Sequence, residues 1–428
     1  MPEISPRELL LGAFQAGVAA IQAEAVLPRW LPAPPQGRTL VVGAGKAAAA
    51  MAASVEAHWP GPVHGLVITR RGHDTLSHTR SRQIEVIEAG HPLPDAAGIE
   101  AAERLLALLQ TASADDRVIA LISGGGSSLL SLPAEGLCLA DLQVVGQALL
   151  RSGAPIAEIN CVRKHLSRSL GGRLAQACRA PVTALLISDV VGDDVSVIAS
   201  GPFAPDPTRF PDALAVLERW QVVAPPAVVA YLQRGAVGEL PETPKPGDAC
   251  FARVEHQIVA NGRTALLAAA EHFRRNGVRP VILGDSISGE AREVAQVFAA
   301  LAREVRLHGG PWQAPVALLS GGETSVTVRG GGRGGRNTEF LLGLALALEG
   351  LAGVHALAAD TDGIDGTEDN AGAVIGPDTL ARARHLGLDP RALLAGNDAY
   401  AGFAALDDLV LTGPTRTNAN DFRAILIA

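Results

Sequence analysis

The chain has 428 residues, 48% of them apolar and 19% charged, a composition that excludes disorder or a fibrous repeat and suits two or three domains. Aromatic residues make up only 4%, so the core must be built mainly from Ala, Leu and Val. A net charge of −8, without any basic block interleaved with aromatics, argues against a nucleic-acid partner.

No stretch approaches the roughly 18 apolar residues of a membrane span. The apolar stretch Leu9–Ile21 lacks a positive flank, since Glu8 accompanies Arg7, and Gln15 interrupts it. Cys138, Cys161, Cys178 and Cys250 lie far apart, as expected of reduced thiols in a soluble cytoplasmic protein. Lysine is rare: Lys46, Lys164 and Lys245 stand against 33 arginines. A lysine retained on such a background marks a place where a compact ammonium is required, or a chance survival.

In chain order, strands are expected at Thr39–Val42, Val63–Thr69, Ile84–Glu88, Val118–Ile122 and Val182–Ile187. Further strands are expected at Glu255–Val259, Pro280–Leu283, Val316–Leu319, Ser325–Val328, His355–Ala359 and Leu409–Leu411. Helical periodicity covers Arg7–Ala25, Ala47–His58, Ala96–Leu109, Thr264–Arg275, Gly289–Val305 and Asn337–Glu349. Alternation of the two predicts an α/β fold with mainly parallel sheets covered on both faces.

The Pro-rich stretch Gly238–Asp248 reads as a linker, which gives an N-terminal domain over 1–240 and a C-terminal domain over 241–428. The segment after Thr412 is left free to return to the first domain. An internal echo joins Ser123–Ser128 to Ser320–Ser325, each S-G-G-x-[ST]-S after an apolar strand. Two such strand-end turns predict an active site in a cleft between the domains.

Five stretches can carry chemistry. Gly43-Ala-Gly45-Lys46-Ala-Ala48 matches the dinucleotide turn G-x-G-x-x-A, with helix amides available to an anion. Arg70 and Arg71 end the next strand where an acid would hold a ribose, so an NADP-dependent reductase competes with a phosphate-binding turn. Ser123-Gly124-Gly125-Gly126-Ser127-Ser128 suits a backbone nest for an oxyanion, with hydroxyl donors beside it. Asp189 and Asp193, after the strand 182–187, can hold Mg²⁺ or take a proton, although Asp193 or Asp194 can equally cap a helix.

The loop Arg329–Arg336, with five glycines, reads as a mobile lid carrying arginines for phosphate or carboxylate oxygens. Asp360, Asp362 and Asp365 begin like a calcium loop, but Ile364 and Ala371 fall on ligand positions, which leaves Mg²⁺. No histidine pair has metal-ligand spacing, and no G-x-S-x-G elbow appears.

Together GAGKAA (43–48), AGHPLPD (89–95), SGGGSS (123–128), NCVRKHLS (160–167) and ISDVVGDDVSVIASGP (187–202) resemble the class II glycerate kinases. So do GGETSVTV (321–328), GGRNTE (334–339), DTDGIDG (360–366) and TGPTRTNAND (412–421), the second group matching the family's C-terminal MOFRL domain. The resemblance implies a Rossmann-like N-terminal domain, a smaller α/β MOFRL domain, and phosphorylation of D-glycerate at its 2-hydroxyl by ATP with Mg²⁺. It is compatible with a homodimer. Relatives have also been labelled hydroxypyruvate reductases, and a regulatory sugar-acid binder is a third alternative.

The resemblance puts forward Lys46 and Arg336 as catalytic cations, and Asp189 is expected to orient or deprotonate the hydroxyl. Gly43, Gly45, Ser123, Gly124, Gly125, Gly126, Ser127, Glu323, Arg333, Asn337 and Asn418 are expected to bind substrate or phosphate. Asp189, Asp193, Asp360, Asp362 and Asp365 are the expected metal ligands. The chain departs from its relatives at Leu170, Ala399 and Arg416, where Lys, Ser and Gly are usual.

Overall fold

A computed structural model describes residues 4–74 and 83–428. The chain forms two compact α/β units, one of Ala23–Val259 and one that joins Met1–Gln22 to Ala260–Ala428. Among the described residues no helix is long and apolar enough to cross a membrane.

The first unit is built on β1 (Thr39–Ala44), β2 (His64–Arg70), β3 (Ile84–Ala89), β4 (Arg117–Ser123), β5 (Val182–Ile187) and β6 (Val254–Ala260), in the order β3-β2-β1-β4-β5-β6. This is the strand order of the doubly wound nucleotide-binding folds. The pairs from β3 through β5 are all parallel. Every residue of β1 and β5 is buried, as continuous apolar runs demand when both sheet faces are covered. On one face Leu40, Val42, Ala120, Ile122 and Leu186 pack against Ala101, Ala102 and Leu105 of the helix Ala96–Gln110. Asp95 caps that helix, accepting from the Gly98 amide at 2.9 Å.

The parallel register sets the ends of β1, β4 and β5 on one edge, because Ala44 pairs with Ile122 and Ser123 with Ile187. Turns 45–47, 124–126 and 188–189 therefore leave the sheet side by side.

The second unit departs from the parallel expectation. Its strands are β7 (Arg279–Glu290), β8 (Val316–Ser325), β9 (Val354–Asp360), β10 (Gly372–Ile375), β11 (Leu409–Val410) and β12 (Asp421–Ile427), in the order β11-β10-β9-β12-β8-β7. Only β7 and β8 run parallel; the other pairs are antiparallel. Strand β12, absent from the sequence expectation, occupies the middle of the sheet and keeps the last segment inside this unit. Ser325–Val328 does not form a separate strand: β8 runs on to Ser325 against Glu290. Helices Ala291–His308 and Arg336–Leu348 cover one face, and Pro6–Ala20 with Gly262–Arg275 cover the other.

The units divide at 259/260, whereas the linker reading placed the boundary near 240. The Pro-rich stretch is packed on the first unit: buried Thr243 donates to Asp206 at 2.9 Å, and the Asp206 amide donates to the Pro244 carbonyl at 2.9 Å. The helix Pro6–Ala20, closed by a capping box between Ser5 and Glu8, serves the second unit instead. Its Phe14 is buried against Phe422 of β12, ring centroids 5.6 Å apart. Phe14→Ala is expected to lower the unfolding free energy by about 3–5 kcal/mol, measured by urea denaturation.

Candidate active site

In the first unit the GAGKAA turn and the SGGGSS turn are stitched together. Gly45 donates its amide to Ile68 O at 3.1 Å, Lys46 to Gly124 O at 2.8 Å, and Ala48 to Gly45 O at 3.1 Å. The Ala47 amide donates to Ser123 Oγ at 3.0 Å. The amides expected to cradle an anion are thus already paired. Gly43 and Gly45 are required by this packing, since a Cβ on either would lie 2.2 Å from Leu121 O or Ser123 Oγ.

The turn's remaining chemical group is the Lys46 side chain, whose stem passes Gly125: a Cβ there would sit 3.4 Å from Lys46 Cγ and 2.9 Å from the His91 ring. The other two lysines are paired elsewhere in this unit. Buried Lys164 meets Asp206 at 3.3 Å, and Lys245 meets Glu242 at 3.2 Å.

Ser123 joins the turns, and Ser128 Oγ donates to Gly125 O at 3.3 Å. Ser127 Oγ lies 2.8 Å from Ser200 Oγ. Gly126 leaves room for Ala199, whose Cβ would be 2.6 Å from an added methyl. Ala199 and Ser200 both hold left-handed φ, at 50° and 58°, a strain of about 1–3 kcal/mol each that such segments keep at functional sites. Asp189 and Asp193 are half-buried in the turn after β5, while Asp194 caps locally through the Ser196 amide at 2.8 Å.

The second unit brings a different set together. Strand β12 enters antiparallel beside β9, so Asp421 stands opposite Asp360 where β9 ends. Between them lies Arg336, the first residue of the helix Arg336–Leu348. Its Nε reaches Asp421 Oδ1 at 2.6 Å, one terminal nitrogen reaches Asp360 Oδ2 at 2.6 Å, and the other reaches Glu323 at 3.3 Å. Burial alone would lower the Arg336 pKa, but Asp421, Asp360 and Glu323 hold it well above its ordinary value.

Asp421 also accepts from Asn337 Nδ2 at 2.8 Å and from fully buried Arg423. Burial would raise the Asp421 pKa, yet Arg336 and Arg423 bring it below the usual carboxylate value. Arg423 is further fixed by Gly321 O at 3.2 Å, Thr324 Oγ1 at 2.9 Å and the Phe340 ring at 5.2 Å. Asp365 binds the amides of Asn337 and Thr338, each at 2.9 Å, and so caps the helix. Burial pushes its pKa upward, against the pull of those two amides.

Two expectations change here. Ser320–Ser325 is not a turn echoing SGGGSS: pairing with β7 keeps it extended, and Gly322, at φ 107°, gives way to Ile287 O. The loop 329–335 is not an untethered lid. Asn397 Oδ1 accepts from the Arg329 and Gly330 amides at 2.7 and 3.0 Å, and Asp398 Oδ1 accepts from the Arg333 amide at 2.9 Å. A Cβ on Gly330, Gly332 or Gly335 would lie within 2.4 Å of Gly396, Asp398 or Asp365, so these glycines serve close packing. Arg333 pairs with Glu368 and lies 4.2 Å over the Tyr400 ring.

The loop, β8 and the helix start enclose a cleft of about 340 Å³ lined by Thr324, Gly334, Gly335, Arg336, Asn397 and Ala399. Asn418 is buried and accepts from the Asn420 amide at 3.3 Å; Asp362 accepts from the Ile364 amide at 2.8 Å. Leu170 packs in the first core, and Arg416 holds φ 65°, the left-handed conformation that suits glycine. Sequence reasoning assigned no role to Asp421 or Arg423. The signal was the lone Asp at the end of TGPTRTNAND, followed by an arginine inside an apolar run.

A buried network that aims one arginine into a cleft, with a lysine-bearing turn at a strand edge, defines an α/β enzyme that works on anions. Comparison with known proteins makes this specific. Residues 9–233 match the domain of unknown function DUF4147, and residues 316–421 match the MOFRL family. A D-glycerate 2-kinase of Thermotoga maritima is 39% identical over 419 residues, covering 97% of each chain. The crystal structure of the glycerate kinase from that organism superposes with a TM-score of 0.86, at 38% identity and 99% coverage of both chains. An Agrobacterium vitis protein provisionally named hydroxypyruvate reductase is 50% identical, covering 99% of this chain and 95% of its own. The chain belongs to the glycerate 2-kinase family that carries a MOFRL domain.

Asp421→Asn leaves Arg336 and Arg423 without their shared counter-charge and is expected to cost about 3–5 kcal/mol at pH 7. Because the folded pKa is depressed, the wild-type advantage is full above about pH 4 and shrinks as pH falls. Denaturant titrations of both proteins between pH 7 and pH 3 measure this gap.

Proposed function

We propose that the protein phosphorylates D-glycerate at the 2-hydroxyl with ATP, giving 2-phospho-D-glycerate and ADP. The observation that carries the choice over a dinucleotide-dependent reductase is the commitment of the amides of Gly45, Lys46, Ala47 and Ala48. A dinucleotide turn works by offering those groups to a pyrophosphate. Here the turn is left to carry an ammonium, which suits a phosphoryl group as a point charge. The end of β2 supports the same choice: Arg71, which a reductase would offer to a 2′-phosphate, is engaged by Asp95 at 2.6 Å.

In this reading the glycerate 2-oxygen attacks the terminal phosphorus and the bond to the ADP oxygen breaks. The hydroxyl proton passes to Asp189. Lys46 stabilises charge on the transferred group, and such transfer asks a protein mainly for positioning and neutralisation. In the second unit, Arg336 offers its own 340 Å³ cleft a guanidinium suited to a phosphate oxygen. Its longest contact, 3.3 Å to the half-exposed Glu323, is the one a phosphate oxygen would replace. The SGGGSS turn orients the acceptor.

Bound magnesium would neutralise nucleotide phosphates. Among the described residues no three acidic, histidine or cysteine side chains gather as a metal group, so the fit is to an ion held by one or two carboxylates. With Asp189 given the proton, Asp193 in the same turn after β5 suits that holding. Asp360 and Asp365 are engaged by Arg336 and by helix amides, which leaves them poorly suited.

Incubation with D-glycerate, ATP and Mg²⁺ is expected to yield 2-phosphoglycerate by phosphorus NMR, and EDTA should abolish it. Steady NADPH oxidation with hydroxypyruvate and no phosphoryl transfer would overturn the reading. Lys46→Ala is expected to lower kcat by about 10²–10³-fold with little change in melting temperature. Arg336→Ala is a less clean variant, because it also strands Asp421 and Asp360.

A further inference from the structure

The helix Ile156–His165 carries three consecutive basic residues, and two are accounted for. Lys164 pairs with Asp206 at 3.3 Å, and His165 lies 2.8 Å from Cys161 O and 3.3 Å from Glu242. Arg163 has no hydrogen-bond or ion-pair partner among the described residues, and burial is the sole influence on its guanidinium. Arg163 is half-buried, so its guanidinium is partly withdrawn from water without a counter-charge, a desolvation cost that an anionic ligand would offset. The same helix turn matches the neighbouring buried ammonium with a carboxylate, so its omission at Arg163 is local.

Arg163 lines a cavity of about 20 Å³ with Pro92, Leu93, Leu142, Val145, Ser128 and Ser131. That volume holds little more than a water-sized group, which excludes a nucleobase or a polyphosphate and admits a carboxylate. The serine hydroxyls are donated elsewhere, Ser131 to Ser127 O at 2.7 Å and Ser128 to Gly125 O at 3.3 Å, so the guanidinium is the cavity's charged donor. Its planar fork suits the two oxygens of a carboxylate.

The cavity borders the Lys46 turn. Pro92 follows His91, and the His91 ring and the Lys46 stem both lie against the face of Gly125 where a Cβ would stand.

We propose that Arg163 binds the carboxylate of the hydroxy-acid acceptor, presenting the acceptor's hydroxyl on the side of the Gly125–Ser128 turn where Lys46 stands. The proposal deepens the kinase reading and rests on it for the identity of the acceptor.

The test compares wild type with Arg163→Gln and Arg163→Lys. In turnover, Arg163→Gln is expected to raise KM for D-glycerate by about 10²-fold, with KM for ATP and the melting temperature unchanged. Arg163→Lys should recover part of that loss, because it restores the charge without the fork. Calorimetric titration of D-glycerate without nucleotide should show binding by wild type and none by Arg163→Gln.

If wild type phosphorylates D-glycerate and Arg163→Gln keeps its KM, the assignment of Arg163 is overturned and the kinase reading stands. Equal losses toward ATP and D-glycerate would also overturn it. If wild type transfers no phosphate but binds D-glycerate through Arg163, the carboxylate site stands and the kinase reading falls.

Discussion

Asp421 is the charge around which the second unit is organised. It begins the middle strand of the sheet, it is fully enclosed, and its two oxygens divide between Arg336 on one side and Arg423 on the other. An ion so deeply placed is tolerated only when its partners are held in good geometry. Arg423 is held by Gly321, Thr324 and the Phe340 ring, and Asn337 lends Asp421 a further donor. The antiparallel entry of β12 beside β9 therefore does more than complete a sheet: it fixes the direction in which Arg336 faces. Replacing this network by apolar residues could preserve the packing, but it would leave the cleft without an aimed cation.

How far the sequence disclosed this architecture depended on the kind of element. Strands of the first sheet, such as Val118–Ile122 and Val182–Ile187, are unbroken apolar runs, and they emerge within a residue or two of the expected ends. Strand β12 escaped because Arg423 interrupts its apolar pattern, and only the surrounding fold shows that this arginine is an interior residue. The same blindness explains the site. Lys46 stands out because lysine is rare and Arg336 because glycines surround it, whereas Asp421 and Arg163 owe their meaning to partners present or missing in three dimensions.

Glycine-rich stretches illustrate a second limit. GAGKAA and GGGRGGR both look like places where backbone is free to meet a ligand or move. In the folded chain their glycines instead let segments approach within van der Waals distance, as Gly45 does at Ser123 and Gly332 at Asp398. Composition records that a side chain is absent; only packing tells whether its space is empty or filled. This difference separates a dinucleotide cradle from a turn that carries an ammonium.

The second unit is discontinuous: the helix Pro6–Ala20 packs with segments that begin only at Ala260. During synthesis at about 5–20 residues per second, that helix leaves the ribosome on the order of tens of seconds before its partner helix Gly262–Arg275 exists. Through that interval Leu9, Leu10 and Phe14 have no core to enter. The nascent chain thus displays an early apolar face that chaperones can recognise while the intervening unit completes itself, and the growth of the chain sets the order in which the two cores close.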